Sequence, residues 1–417
     1  VLGYMNRGFK TKVAPIYDKS FDDVNCMQCG QCINVCPVGA LHEKEEIHYV
    51  IEVLNDPQKH VVVQTAPAVR GALGEEFGMP IGTRVTGKMV HALKLVGFDK
   101  VYDTNFGADL TIMEEGYEFL NRLQNQGTLP MITSCSPGWV NYVEHEYPDL
   151  LEHLSTCKSP HMMLGAMVKS VYAEAKGIDP RDIYVVSIMP CVAKKGEKQR
   201  TENKTSPYQD VDAVLTTREL AKLIKMFGIN FRDLKDDDFD QDLFGEYSGA
   251  GVIFGASGGV MEAALRTVAD ILAHEDLSMI DYHAVRGVEG VKESTIKIGE
   301  QTLKVAVAQS MALAKPLLDD MRNGVSPYHF IEIMGCPGGC INGGGQPYVN
   351  ATIRNSGFNF KQARAKALYD EDISLPVRKS HKNSQIQNLY KNYLGEPNSE
   401  KAHHLLHTHY TKKARFK

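Results

Sequence analysis

No apolar run in these 417 residues approaches the ~20 that a membrane-spanning helix needs, so a helical anchor in a bilayer is not expected. Strong charge of either sign is also missing. Lys and Arg number 46 against 51 Asp and Glu, a net charge of −5, which gives no electrostatic case for nucleic acid. There is no recognisable signal peptide, internal repeat or low-complexity linker. An initiating methionine is lacking too: the chain begins at Val1, so residues upstream are expected, with room among them for an export signal. The nine cysteines are odd in number and sit mostly in ligand-like spacings, which suits metal binding better than a disulfide framework and points to a reducing, cytoplasmic setting.

At 43% hydrophobic residues the chain can bury a large core, and its length suggests about two or three domains. "HVVVQTAP" from His60 reads as a buried strand, "GKMVHALKLVGF" as an amphipathic helix and "KVYDT" as another strand. This alternation predicts an α/β fold with sheets flanked by helices. Three more strand candidates, "LPMITS", "IYVVSIMP" and "HFIEIMG", run into Cys135, Cys191 and Cys336. Ligands gather beyond the carboxyl ends of strands in open α/β sheets, so these cysteines are expected to converge in one cleft. The expected division is a small cysteine-rich module over 1–50, incomplete at its N-terminus, a large α/β domain over 51–357 and a polar helical tail over 358–417.

"CMQCGQCINVCP" places Cys26, Cys29, Cys32 and Cys36 in the C-x2-C-x2-C-x3-C-P run of bacterial ferredoxins. Zinc usually takes two separated pairs, so an iron-sulfur cubane is the stronger reading. Further on, "MPCVAKKGE" puts Lys194 and Glu197 just after Cys191, and "EIMGCPGGCINGGGQP" sets Cys336 and Cys340 four apart in a glycine-rich loop that a bulky group can approach closely.

Together with "TSCSPGW", residues 133–139, these segments resemble the three signatures of the iron-only, or [FeFe], hydrogenases, and the resemblance covers nearly the whole chain, including a tail similar to the family's small-subunit region. It implies a two-lobed catalytic domain with a ferredoxin-like module and a helical tail, catalysing the reversible interconversion of protons, electrons and dihydrogen. The implied cofactors are one or more 4Fe-4S clusters in the module and an H-cluster, a 4Fe-4S cubane joined to a diiron unit carrying carbonyl, cyanide and azadithiolate. On this sequence the resemblance makes Cys191, Cys336 and Cys340 metal ligands and gives Lys194 a hydrogen bond to a cyanide. It places Pro67, Ala68, Ser159, Pro160, His161, Met189, Phe254, Gly255 and Met334 around the cofactor. A proton path is implied through Cys135, Glu115, Ser155, Glu118 and Arg122. By spacing alone, Glu115, Glu118 and Arg122 form one helix face, most often a solvated stripe. The implied partner is an electron-transfer protein, a ferredoxin, a nicotinamide-linked flavoprotein or formate dehydrogenase subunits, within a hetero-oligomer and without membrane or nucleic acid. A competing reading is a hydrogen sensor or an iron-sulfur assembly relative; Cys135, Lys194 and the two glutamates favour the enzyme.

The sequence departs from the family at Ser136, which falls where a cubane-ligating cysteine belongs, and a hydroxyl is a poor ligand for a soft cluster. Either Cys135 or Cys157 is then a candidate for the missing thiolate. Ala68, His161 and Gly335 also stand where the family often has serine, glutamine and alanine. "FGASGGVMEAAL" lacks the lysine of a phosphate loop. "KAHHLLHTHY" offers four histidines but reads as a surface helix burying Leu405 and Leu406, and "KDDDFDQD" reads as a solvated loop.

Overall fold

Residues 1–205, 207–298 and 301–414 are described by a computed structural model of the chain. The last three residues of the expected tail lie outside them. Two strands, β1 (Leu2–Met5) and β2 (Lys12–Pro15), pair as an antiparallel hairpin ahead of the cysteine-rich loop.

The body is built on two four-stranded sheets. In the first, β3 (His60–Thr65), β4 (Lys100–Asp103), β6 (Ile183–Met189) and β7 (Ala213–Thr216) lie all parallel in the order β4-β3-β6-β7. "HVVVQT" and "IYVVSIM" are nearly continuous apolar runs because both faces of a parallel sheet are covered. The second sheet has the order β5-β10-β9-β8, from β5 (Met131–Ile132), β8 (Lys292–Ile298), β9 (Gln301–Gln309) and β10 (Phe330–Met334), with only β8 antiparallel to its neighbour. In β10, Phe330 and Met334 face one core, while Ile331 and Ile333 face another under helices Pro137–Glu146 and Met311–Arg322.

Helix Thr104–Gln124 begins directly after β4, where the Asp103 carboxylate caps it by accepting from Asn105 N–H at 3.0 Å. It packs on helix Pro160–Met167 and on helices Gly249–Ile253 and Gly259–Ala273, so it lies between the two lobes. The acidic run 235–242 is not a free loop. Asp240 N–H donates to the Val101 carbonyl at 3.0 Å and its carboxylate accepts from Val101 N–H at 2.8 Å, so this segment covers the β4 edge. The expected boundary at residue 50 falls inside helix Ile47–Leu54, whose Ile47, Val50 and Val53 belong to the core of the first lobe. In the tail, helix Phe360–Ser374 carries adjacent acids to both lobes. Glu371 pairs with Arg70 at 2.6 Å, and Asp372 pairs with Arg266 at 2.9 Å.

Candidate functional site

The carboxyl ends of β3, β5, β6 and β10 open onto one buried cavity of about 80 Å³, several times what a single water requires. Cys191 follows β6, Cys336 follows β10 and Cys135 follows β5, and all three line it together with Cys340. The convergence expected from the strand ends is therefore what the fold produces. Burial is the largest influence on each of these thiols and pushes all four upward, Cys340 to about 12. Such thiols stay protonated until a metal displaces the proton.

Backbone geometry sets the cradle. Gly339 takes φ +91°, and a side chain there would meet Ser257 N at 2.6 Å, so the turn that presents Cys340 is open to glycine alone. Farther along the same loop, a side chain on Gly344 would stand 2.1 Å from the Cys29 carbonyl oxygen. Gln31 and Asn34 also donate to the carbonyls of Asn342 and Gly343. The cysteine-rich loop of residues 26–36 is thus seated directly on the loop that holds Cys340. Cys29 is close enough to Cys191 for their charges to interact, and burial raises its thiol to about 11.

"TSCSPGW" forms the third wall. Pro137 opens the helix as its first residue, and Trp139 Nε1–H donates to the Thr133 carbonyl at 3.0 Å, which pins the turn. Ser136 stands at the N-cap without capping. Its hydroxyl instead accepts from Gly335 N–H at 3.2 Å, beside Cys336. Cys135 lines the same cavity: after burial, its thiol is influenced most by Glu115, which raises it, and Lys194, which lowers it.

Lys194 donates to the Cys135 carbonyl at 3.1 Å and pairs with Glu197 at 2.7 Å. The Glu197 carboxylate also lies 2.8 Å from His161 Nε2, while Ser187 Oγ is 3.2 Å from Nδ1. Despite burial, Lys194 and His161 hold the Glu197 carboxyl down at about 2. Burial and the Lys194 charge lower His161 to about 4, so its imidazole is neutral and donates from Nε2 to the carboxylate. His161 is thereby a brace for Glu197 and Lys194 as well as part of the wall.

Pro67, Pro160, Met189, Phe254 and Met334 line the cavity with it. Ala68 and Gly255 stand one layer behind, in mutual contact, and Ser159 is buried beside the wall, its hydroxyl without a hydrogen-bond partner among the described residues. The helix stripe is not solvated. Glu115 is buried and lifted by desolvation to about 8, with a Ser155 hydrogen bond opposing and Glu118 adding to the rise. Ser155 donates to Glu118 Oε2 at 3.1 Å, and Arg122 holds Oε1 at 2.6 Å. Among the described residues Glu115 Oε2 has no hydrogen-bond partner, a buried polar atom left for something the site receives.

Cys157 is placed elsewhere. Its thiol points at Glu118 Oε2, 3.8 Å away, and burial, Glu118, Glu115 and Glu114 are the largest influences raising it. It does not line the cavity that Cys191, Cys336 and Cys340 share. Glu332, the single carboxylate in β10, is fully buried, accepts from Gly258 and Met261 N–H at 2.7 Å each, and is raised to about 7 by burial. An acid inside "FIEIM" was the available signal. The N-terminus of helix Gly259–Ala273 explains why it is tolerated.

Four convergent thiols, a glycine cradle and an apolar cavity fit a thiolate-held cluster with a bulky adjunct. Comparison with known proteins agrees. The family model for the iron-only hydrogenase large subunit, C-terminal domain, matches residues 59–344, that for the iron hydrogenase small subunit matches 359–413, and a 4Fe-4S binding domain matches 20–42. The NADP-reducing hydrogenase subunit HndD of Solidesulfovibrio fructosivorans is 50% identical over the whole chain and 71% of its own length. Iron hydrogenase 1 of Clostridium pasteurianum is 47% identical over 98% of this chain and 71% of its own. The structure of a variant of apo [FeFe]-hydrogenase HydA1 from Chlamydomonas reinhardtii superposes with a TM-score of 0.77 at 41% identity, covering 88% of this chain and 99% of that one. The chain belongs to the iron-only hydrogenases, oxidoreductases that interconvert dihydrogen with protons and electrons at an H-cluster served by 4Fe-4S centres.

Proposed function

We propose the following roles for the residues of this hydrogenase. Cys191, Cys336 and Cys340 hold the H-cluster, with the Ser136 oxygen at the corner where a fourth thiolate would stand, and Cys26, Cys29, Cys32 and Cys36 hold the 4Fe-4S cluster of the module. When bound, the H-cluster supplies the two-electron chemistry of dihydrogen. Lys194, braced by Glu197 and His161, presents a fixed positive charge to the cavity. The apolar side chains of Pro67, Pro160, Met189, Phe254 and Met334 keep bulk water out.

Protons move on the other side. Cys135 holds one on Sγ at the cavity wall and recovers it from Glu115, whose carboxyl is protonated at neutral pH and so can both give and take. Ser155, Glu118 and Arg122 carry the path outward. The observation that carries this reading is the placement of Cys135, Glu115 and Lys194 about the cavity that Cys191, Cys336 and Cys340 share. A sensor or assembly protein has no need of it.

Electrons enter through the module, whose Cys29 adjoins Cys191. The likeness to an NADP-reducing hydrogenase subunit supports a nicotinamide-linked flavoprotein as the electron-transfer partner, ahead of a ferredoxin or formate dehydrogenase subunits, in a hetero-oligomer. Among the described residues no helix is long and apolar enough to cross a membrane; a cytoplasmic setting is part of the proposal. The matured protein with reduced viologen is expected to evolve hydrogen. A fully loaded protein without turnover would favour the sensor or assembly reading.

A further inference from the structure

The tail histidines and the odd cysteine, both left without a role above, meet at one point. Residues 156–158 and 406–408 pair as short antiparallel segments: Lys158 N–H donates to the Leu406 carbonyl and Thr408 N–H to the Thr156 carbonyl, each at 2.8 Å. Cys157 and His407 therefore face each other as a non-hydrogen-bonded pair, the arrangement that brings side chains closest on one face. Helix Thr104–Gln124 adds Glu118. The three donor atoms lie within 4.8 Å of one another, Cys157 and His407 buried and Glu118 largely so.

From these positions we infer that Glu118, Cys157 and His407 form a second metal site, suited to zinc and separate from the iron-sulfur centres. A tetrahedral zinc with a sulfur and an oxygen ligand sets those atoms about 3.6 Å apart; Cys157 Sγ and Glu118 Oε2 stand 3.8 Å apart before any ion enters. His407 is oriented for the task. Its Nε2 lies 2.9 Å from the Glu114 carboxylate, which keeps the proton on that nitrogen and leaves the Nδ1 lone pair free, 2.7 Å from the Thr156 hydroxyl that an ion would displace. A carboxylate behind the ligating imidazole is the usual support of such sites. Glu118 can serve without losing Arg122, which holds Oε1; Oε2, the oxygen nearest Cys157, accepts from Thr156 N–H at 3.0 Å and from the Ser155 and Thr156 hydroxyls at 3.1 and 3.2 Å, and these hydroxyls would turn aside as the ion enters.

The dication binds a neutral imidazole, the existing Glu118 carboxylate and the Cys157 sulfur, whose S–H proton leaves to solvent, so the three ligands and the ion sum to zero charge. Glu118 keeps some solvent exposure, giving the ion an entry. Its occupation would also stop the carboxylate from accepting protons, a consequence that rests on the proton path proposed above.

Zinc X-ray absorption on the matured holoenzyme with one equivalent of Zn²⁺ tests the site. The expected spectrum has one sulfur at about 2.3 Å with nitrogen and oxygen at about 2.0–2.1 Å, and titration calorimetry should show zinc affinity at least tenfold weaker in Cys157→Ala and His407→Gln. A spectrum of nitrogen and oxygen alone, or one with several sulfurs, overturns the site by placing the ion on surface histidines or cluster cysteines. Unchanged affinity in both folded variants overturns it equally, and the wild-type spectrum decides even if the variants fail to fold. Hydrogen evolution read in parallel should fall at least tenfold at saturating zinc and recover on chelation. A sulfur-ligated ion without inhibition would uphold the site and refute Glu118 as a proton carrier.

Discussion

Two neighbours, Cys135 and Ser136, divide the work of one turn. Ser136 turns toward Gly335 and Cys336, while Cys135 is governed by Glu115 and Lys194. Ser136→Cys is therefore expected to hold the cubane more firmly, slowing iron loss to a chelator at least tenfold, because thiolate is the softer ligand. Glu115 makes a pH prediction. Its folded carboxyl sits at about 8 against an ordinary 4.5, so the native protein keeps a proton that the unfolded chain has lost. Stability from this group is complete below about 4.5 and is lost as pH rises through about 8. Glu115→Gln cannot ionise, so its Tm should gain on the wild type as pH climbs through that window, while hydrogen evolution falls by about a hundredfold or more.

At the scale of elements, the glycine-rich loop after β10 joins the cofactor cavity to the cysteine-rich module. Gly344 packs backbone to backbone on Cys29. Gly344→Ala is expected to cost about 1–3 kcal/mol and to loosen the module, seen as faster proteolysis near residues 26–36 and slower electron delivery by a protein donor, with viologen-driven turnover less affected. Much of this level was legible in the sequence. Strand ends running into Cys135, Cys191 and Cys336 pointed to one cleft because parallel sheets gather ligands at their carboxyl edge, and motif likeness supplied Lys194 and the glutamates. Glu332 was not legible, since one acid in an apolar strand breaks the pattern and only the facing helix N-terminus, far away in sequence, compensates it. The meeting of Cys157 with His407 was hidden for the same reason: 250 residues separate them, and a lone cysteine beside a histidine-rich tail carries no spacing to read.

For the molecule as a whole, the tail is a clamp. Arg70 is buried between Asp103, at the end of β4, and Glu371, at 2.6 Å each, while Arg266 of the second lobe holds Glu262 and Asp372. Removing either cation strands buried carboxylates. Arg70→Ala and Arg266→Ala are each expected to lower stability by about 3–5 kcal/mol, measurable by denaturant unfolding, and to loosen the two lobes about the cavity between them. The central claim, that Cys135 carries protons and does not hold the cluster, is tested most directly by maturing Cys135→Ala and recording its infrared and electron paramagnetic spectra alongside hydrogen evolution. The expected result is a complete cofactor with evolution reduced by about a hundredfold or more; loss of the cubane, or turnover at the wild-type rate, would contradict it.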